Sequence, residues 1–200
     1  SFEEVLLRGQ APDRGLYMPE EIPKFSPSVW QELAGAPYVQ VAKTLLMPYL
    51  EGFIETSTLS DLLKEAYNFP VPLQRIESGL FLLRLDQGPT LSFKDFAARI
   101  MARLMAYVLE KRKRSLCILT ATSGDTGGAV ANAFHGLCNI RVVVLFPLEE
   151  ITYRQRLQMT TLGENVTAVG LEGKFDDCQR LVKEAFADQD LRHLNLTSAN

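Results

Sequence analysis

From residue 90 onward, apolar runs of strand length alternate with runs of helix length. That alternation restricts the fold more than any other feature of the chain. A helix of about 20 residues is predicted to start at Phe93 and to end in the basic cluster Lys111-Arg112-Lys113-Arg114. LCILTAT (116–122), IRVVVLFP (140–147), VTAVGL (166–171) and HLNLT (193–197) read as strands. Predicted helices over 126–137, 152–162 and 176–187 separate them. RVVVLF is apolar without a break, the mark of a strand buried on both faces, and such strands joined by helices form parallel sheets through right-handed crossovers. The expected fold is therefore α/β, an open parallel sheet with flanking helices. Ligands of such sheets sit at the carboxyl ends of the strands.

The preceding stretch is different. Residues 1–88 carry eight of the ten prolines and no long repeating pattern. They read as a mainly helical N-terminal region, with short helices over 28–34, 37–51 and 58–67 broken at Pro48 and between Asn68 and Pro72. LFLLRL (80–85) is a short apolar strand ending at the turn Asp86-Gln87-Gly88-Pro89. Domain organisation is thus expected as 1–88 and 89–200. With 46% hydrophobic and 22% charged residues the chain has the composition of a globular protein, not of a disordered one. A net charge of −3 supplies no basic field for nucleic acid or anionic lipid. No apolar run approaches the ~18 residues that span a bilayer. Cys117, Cys138 and Cys178 are an odd, widely spaced set without a CxxC pair, so no disulfide scaffold or metal site is expected and a reducing, cytoplasmic setting is. Asn165-Val-Thr and Asn195-Leu-Thr carry no glycosylation meaning there.

Two stretches carry chemistry. In Gly88-Pro-Thr-Leu-Ser-Phe-Lys-Asp-Phe, Ser92 stands where an N-cap belongs and Asp95 three residues later makes an acidic capping box. Phe93, Phe96, Ala97, Ile100, Leu104, Tyr107 and Val108 then mark one apolar helix face. Lys94 falls in the first turn, where the helix dipole is positive and disfavours an ammonium. An amine held there beside aromatics suits nucleophilic attack on an aldehyde, and the plainer alternative is a lysine paired with Asp95 or reaching solvent. The second stretch, Thr120-Ala-Thr-Ser-Gly-Asp-Thr-Gly-Gly-Ala-Val, follows the first strand of the regular region. Glycines between a strand and a helix let N–H groups converge on an anion, and the hydroxyls of Thr122, Ser123 and Thr126 add donors. It is neither GxGxxG nor GxxxxGK[ST], so a small carboxylate or phosphate fits better than a dinucleotide. Asp125 either caps the following helix or accepts a hydrogen bond from the ligand. Arg154, Arg156 and Gln158 could line the same carboxyl edge. His135 and His193 are isolated, and Asp176 and Asp177 most simply cap the last helix.

Five stretches in order resemble the threonine synthase family, pyridoxal 5′-phosphate (PLP) enzymes of fold type II. They are SFEEVLLRGQAPDRGLYMPEEIP, GPTLSFKDFAAR, TATSGDTGGAVANAF, QMTTLGENVTAVGLEGKFDDCQRLVKEAF and LNLTSAN. The resemblance covers essentially the whole chain, with Arg14 where the family more commonly has Gly. It implies that Lys94 is the lysine that holds PLP and moves protons on the substrate. It also implies a ring-side contact for Asp125, where the fold type often has Asn. Thr122, Ser123, Gly124, Thr126 and Gly127 would grip the substrate carboxylate, and Ser92 would lie near a phosphate or simply cap. The implied reaction converts O-phospho-L-homoserine and water to L-threonine and phosphate. Family members continue past Ser198-Ala-Asn200 into a glycine-rich loop for the PLP phosphate and a partner for the ring nitrogen. The isolated chain is therefore expected to bind PLP poorly and to lack turnover. Two alternatives stand beside this: another fold type II lyase or dehydratase, and a non-catalytic α/β module that binds a small anion.

Overall fold

The computed structural model describes residues 1–9, 11–13 and 15–199, so Arg14 lies outside the described residues. Helices α1 (Phe2–Arg8), α2 (Pro27–Leu33), α3 (Tyr38–Leu46) and α4 (Thr56–Ala66) come first, with a 3-10 turn at Met47–Tyr49 where Pro48 ends the helical run. An antiparallel hairpin follows, β1 (Leu73–Glu77) with β2 (Leu80–Leu83), all of it exposed. The remainder is α5 (Lys94–Arg112), β3 (Leu116–Ala121), α6 (Asp125–Phe134), β4 (Ile140–Pro147), α7 (Tyr153–Thr160), β5 (Val166–Leu171), α8 (Phe175–Ala187) and β6 (Leu196–Thr197). The expected open parallel sheet is present, in the order β5-β4-β3-β6 and parallel throughout.

Three local expectations change. The fourth strand is only Leu196–Thr197, because residues 192–194 turn as a 3-10 helix. α1 and β1 are additional elements. α1 carries its own signal, Ser1 three residues before Glu4, and the Ser1 hydroxyl accepts the Glu4 N–H at 3.4 Å.

The sheet is covered on both faces. On one, Ile118, Val142, Val144 and Phe146 pack with Ala102 and Met105 of α5 and with Ala129, Val130 and Phe134 of α6. On the other, Leu119 and Ala121 pack with Cys178 and Val182 of α8. This period-2 division along β3 explains its unbroken apolar sequence. Each large side chain so buried contributes about 1.5–3 kcal/mol. α5 buries two faces rather than one. Ala98, Ala102, Met105 and Leu109 face the sheet, while Ile100 and Leu104 join Leu50, Ile54, Leu59 and Leu63 of the N-terminal region. Arg99 of α5 is buried and caps the end of α4, donating to the Ala66 carbonyl at 2.6 Å, the Glu65 carbonyl at 2.9 Å and Asn68 Oδ1 at 3.0 Å. Asn165 is wholly engaged in the fold. Its amide nitrogen donates to the carbonyls of Phe134 and Ile140, each at 2.8 Å, and its oxygen accepts the Gly136 N–H.

Candidate active site

The chain runs β3, β4, β5 outward and then returns past β3 to place β6, so the strand order reverses between β3 and β6. Parallel sheets open a crevice at such a reversal, at the carboxyl ends of the two strands. A cavity of about 740 Å³ lies there, with Ala121 at the end of β3 and Ala199 just past β6 in its wall. Lys94 enters from α5 and Thr126 from the first turn of α6, and Tyr38, Phe93, Phe96 and Phe175 add aromatic surface. The Lys94 ammonium lies 4.2 Å from the centroid of the Phe93 ring. A larger cavity of about 820 Å³, lined by Arg141, Glu164 and His193 among others, sits at the amino ends of the strands, away from Lys94.

The loop before Lys94 differs from its sequence reading. Ser92 is buried and its hydroxyl accepts the Lys94 N–H at 3.4 Å, a weak capping contact. Asp95 does not complete a capping box with it. Its wholly buried carboxylate turns back to Thr90, accepting the backbone N–H at 2.9 Å and the hydroxyl at 2.7 Å. Both donors of Thr90 thus pair with the buried carboxylate, as a buried polar group requires. A Cβ on Gly88 would fall on that carboxylate, so glycine is required there.

The glycine loop closes on itself in a comparable way. Thr122 Oγ1 accepts the N–H of Gly124 at 2.9 Å and of Gly127 at 2.8 Å. The Thr122 oxygen, as acceptor, and the N–H groups of Gly124 and Gly127 are thereby used within the loop. The donors left at the start of α6 are the N–H groups of Asp125 and Thr126, orphaned in any first helical turn, with the exposed Ser123 and half-buried Thr126 hydroxyls beside them. Asp125 does not cap α6 with its side chain; Oδ1 accepts a hydrogen bond from Gln155 Nε2 at 2.8 Å. Gly124 has φ 134°, and a Cβ there would strike Gln155.

Among the weaker candidates, Gln158 reaches the Lys94 loop, donating to the Thr90 carbonyl at 3.1 Å. Arg154 and Arg156 are exposed. His135 sits 3.6 Å from Glu164, and His193 bonds the Asp190 carbonyl. Asp177 accepts the Lys174 N–H and caps α8. Sequence reasoning missed Gln155 and Tyr38. Gln155 stands three residues after Thr152, whose hydroxyl and N–H bond its oxygen, so the capping-box spacing was its available signal. Tyr38 has none.

A lysine and a helix N-terminus sharing one aromatic-walled cavity at a strand-order reversal describe a site for a small anionic carbonyl compound. The chain belongs to the pyridoxal-phosphate dependent enzyme family, which residues 65–199 match. Residues 1–67 match the threonine synthase N terminus. Over its whole length the chain is 43% identical to threonine synthase of Haemophilus influenzae and 39% identical to that of Escherichia coli, covering 46% of each. Among solved structures it superimposes on PLP-bound threonine synthase from Brucella melitensis with TM-score 0.94 and 42% identity. The yeast enzyme gives 0.93 and 31%. All of this chain and 45% and 43% of those chains are covered. The chain thus spans about half the length of the relatives it matches. The residues present fit PLP: an amine on one wall for its aldehyde, aromatic and apolar surface for its ring, and unpaired helix N–H groups for an anion.

Proposed function

We propose that the chain is the N-terminal part of a threonine synthase, acting in amino-acid biosynthesis in the cytoplasm. Its substrate is O-phospho-L-homoserine, and its products with water are L-threonine and phosphate. The observation that carries this reading is Lys94 lining one cavity with the start of α6, in a chain similar to threonine synthases from end to end. Lys94 holds PLP, whose contribution is an electron sink for the carbanions of the reaction. Ser123, Thr126 and the N–H groups of Asp125 and Thr126 bind the substrate carboxylate. Thr122, Gly124 and Gly127 fix the loop that presents them. Asp125, steadied by Gln155, supplies the ring-side contact, and Ser92 steadies the first amide of α5. The Lys94 amine takes a proton from the substrate Cα and later one from Cβ. Phosphate leaves from Cγ, the two protons are returned to Cγ and to Cα, and water supplies the hydroxyl at Cβ and a proton for the departing phosphate.

The test is borohydride reduction in the presence of PLP, followed by peptide mapping, on the chain and on a version extended to the full length of its relatives. Label is expected on Lys94 and is expected to vanish in Lys94→Ala. A Lys94 that takes no label in either version overturns the reading. Threonine plus phosphate from the extended version identifies the synthase, whereas a 2-oxo acid identifies an eliminating enzyme.

A further inference from the structure

Helix α7 carries no residue of the cavity wall, yet three of its side chains reach the two loops that form it. Gln155 fills the space beside Gly124 and bonds Asp125, and Met159 sits against Gly127. Gln158 sits against Gly128, where a Cβ would meet its Oε1 at 2.9 Å, and extends past α6 to donate to the Thr90 carbonyl. The glycines at 124, 127 and 128 therefore do more than free backbone N–H groups. They let α7 lie close enough to α6 for Gln158 to reach the Lys94 loop.

We infer that Gln158 is a positioning residue for Lys94, fixing the loop that carries it against the glycine loop. The path is short and polar. Gln158 holds the Thr90 carbonyl, Thr90 gives its N–H and hydroxyl to Asp95, and Asp95 is the neighbour of Lys94 on α5. Leu91, between Thr90 and Ser92, has φ 59°, a conformation that a leucine holds only when its surroundings impose it. The Gln158 bond supplies part of that restraint from 68 residues away in sequence. The inference rests on the proposed role of Lys94 for its functional meaning, but its physical content is the restraint of residues 88–95.

Hydrogen exchange on the 200-residue chain tests it. Gln158→Ala is expected to speed exchange of the Thr90, Leu91, Lys94 and Asp95 amides by about twofold to tenfold, the worth of one hydrogen bond. Exchange in β3 is expected to stay unchanged. Gln158→Glu separates hydrogen bonding from filling space, because its shape is nearly that of glutamine. Ionised, it cannot donate to the Thr90 carbonyl; protonated, it can. Its faster exchange at neutral pH, relative to the unaltered chain at the same pH, is therefore expected to recede as pH falls toward the carboxyl range near about 4.3. Unchanged loop exchange in Gln158→Ala overturns the inference. So does a Gln158→Glu chain that matches the unaltered chain at every pH, or one whose excess exchange persists at low pH. Lys94 labelling by PLP is read in parallel. Loop exchange that responds as expected while Lys94 takes no label in any version removes the cofactor reading and leaves the restraint standing. Label on Lys94 with an unresponsive loop does the reverse.

Discussion

The loop that carries Lys94 is closed by a buried carboxylate, whereas the glycine loop beside it is closed by a buried hydroxyl. Both locks take two donors, the N–H and hydroxyl of Thr90 on Asp95 and the N–H groups of Gly124 and Gly127 on Thr122. They differ in charge. Hydrogen bonds to an ionised acceptor are roughly twice as strong as neutral ones, and their loss leaves the donors unpaired in a dry place. The Lys94 loop should therefore be the more expensive one to unlock. Asp95→Ala is expected to lower stability by about 3–4 kcal/mol, read from urea unfolding. Asp95→Asn should lose less, about 1–2 kcal/mol, because its oxygen still takes the Thr90 N–H while the Thr90 hydroxyl rotates to accept.

The neutral lock sets the scale for comparison. Thr122→Val keeps the shape and removes the oxygen, leaving two loop N–H groups without their acceptor, for an expected loss of about 2–3 kcal/mol. Thr122→Ser does the converse. It keeps the oxygen and removes the methyl packed against Gly127, for about 1 kcal/mol. A Thr122→Val loss exceeding that of Asp95→Ala would break the comparison, since it would mean that backbone closure and not charge decides the cost.

Both loops were legible in the sequence as places, but neither was legible as a mechanism of closure. The parallel sheet, its crossover helices and the position of Lys94 at a helix start follow from periodicity and from short-range signals, which depend on residues a few positions apart. The partner of Asp95 does not. A capping box with Ser92 and a clasp on Thr90 use the same residue types, and only the path of the loop decides between them. The bond from Gln155 to Asp125 spans 30 residues and the one from Gln158 to Thr90 spans 68, distances over which a lone sequence carries no register. α5 shows the same limit in apolar form. The residues that mark one face are legible as a stripe, while the sheet-facing side is half alanine, Ala98 and Ala102 beside Met105 and Leu109, and so gives a weaker apolar signal.

Alkali should distinguish the two sides of the cavity further, because Thr122 is neutral at every pH and the Lys94 side holds a second titratable anchor. Tyr67 at the end of α4 donates its hydroxyl to the Phe96 carbonyl at 3.1 Å, two residues beyond Lys94. Burial, reinforced by the neighbouring Tyr38, raises its pKa well above the ordinary 10.0. Above that value the unfolded chain releases the proton while the folded chain keeps it. The unfolded state then binds fewer protons, and stability falls as pH rises. The contribution is therefore full below about pH 10 and is lost progressively above it. Tyr67→Phe is expected to cost about 1 kcal/mol at neutral pH for the missing hydrogen bond and to make the alkaline decline shallower. The decline should not disappear, since burial also raises the pKa of Tyr38. Denaturant midpoints measured between neutral pH and pH 11 would show it, and an unaltered slope in Tyr67→Phe would remove Tyr67 from the anchors of the Lys94 side.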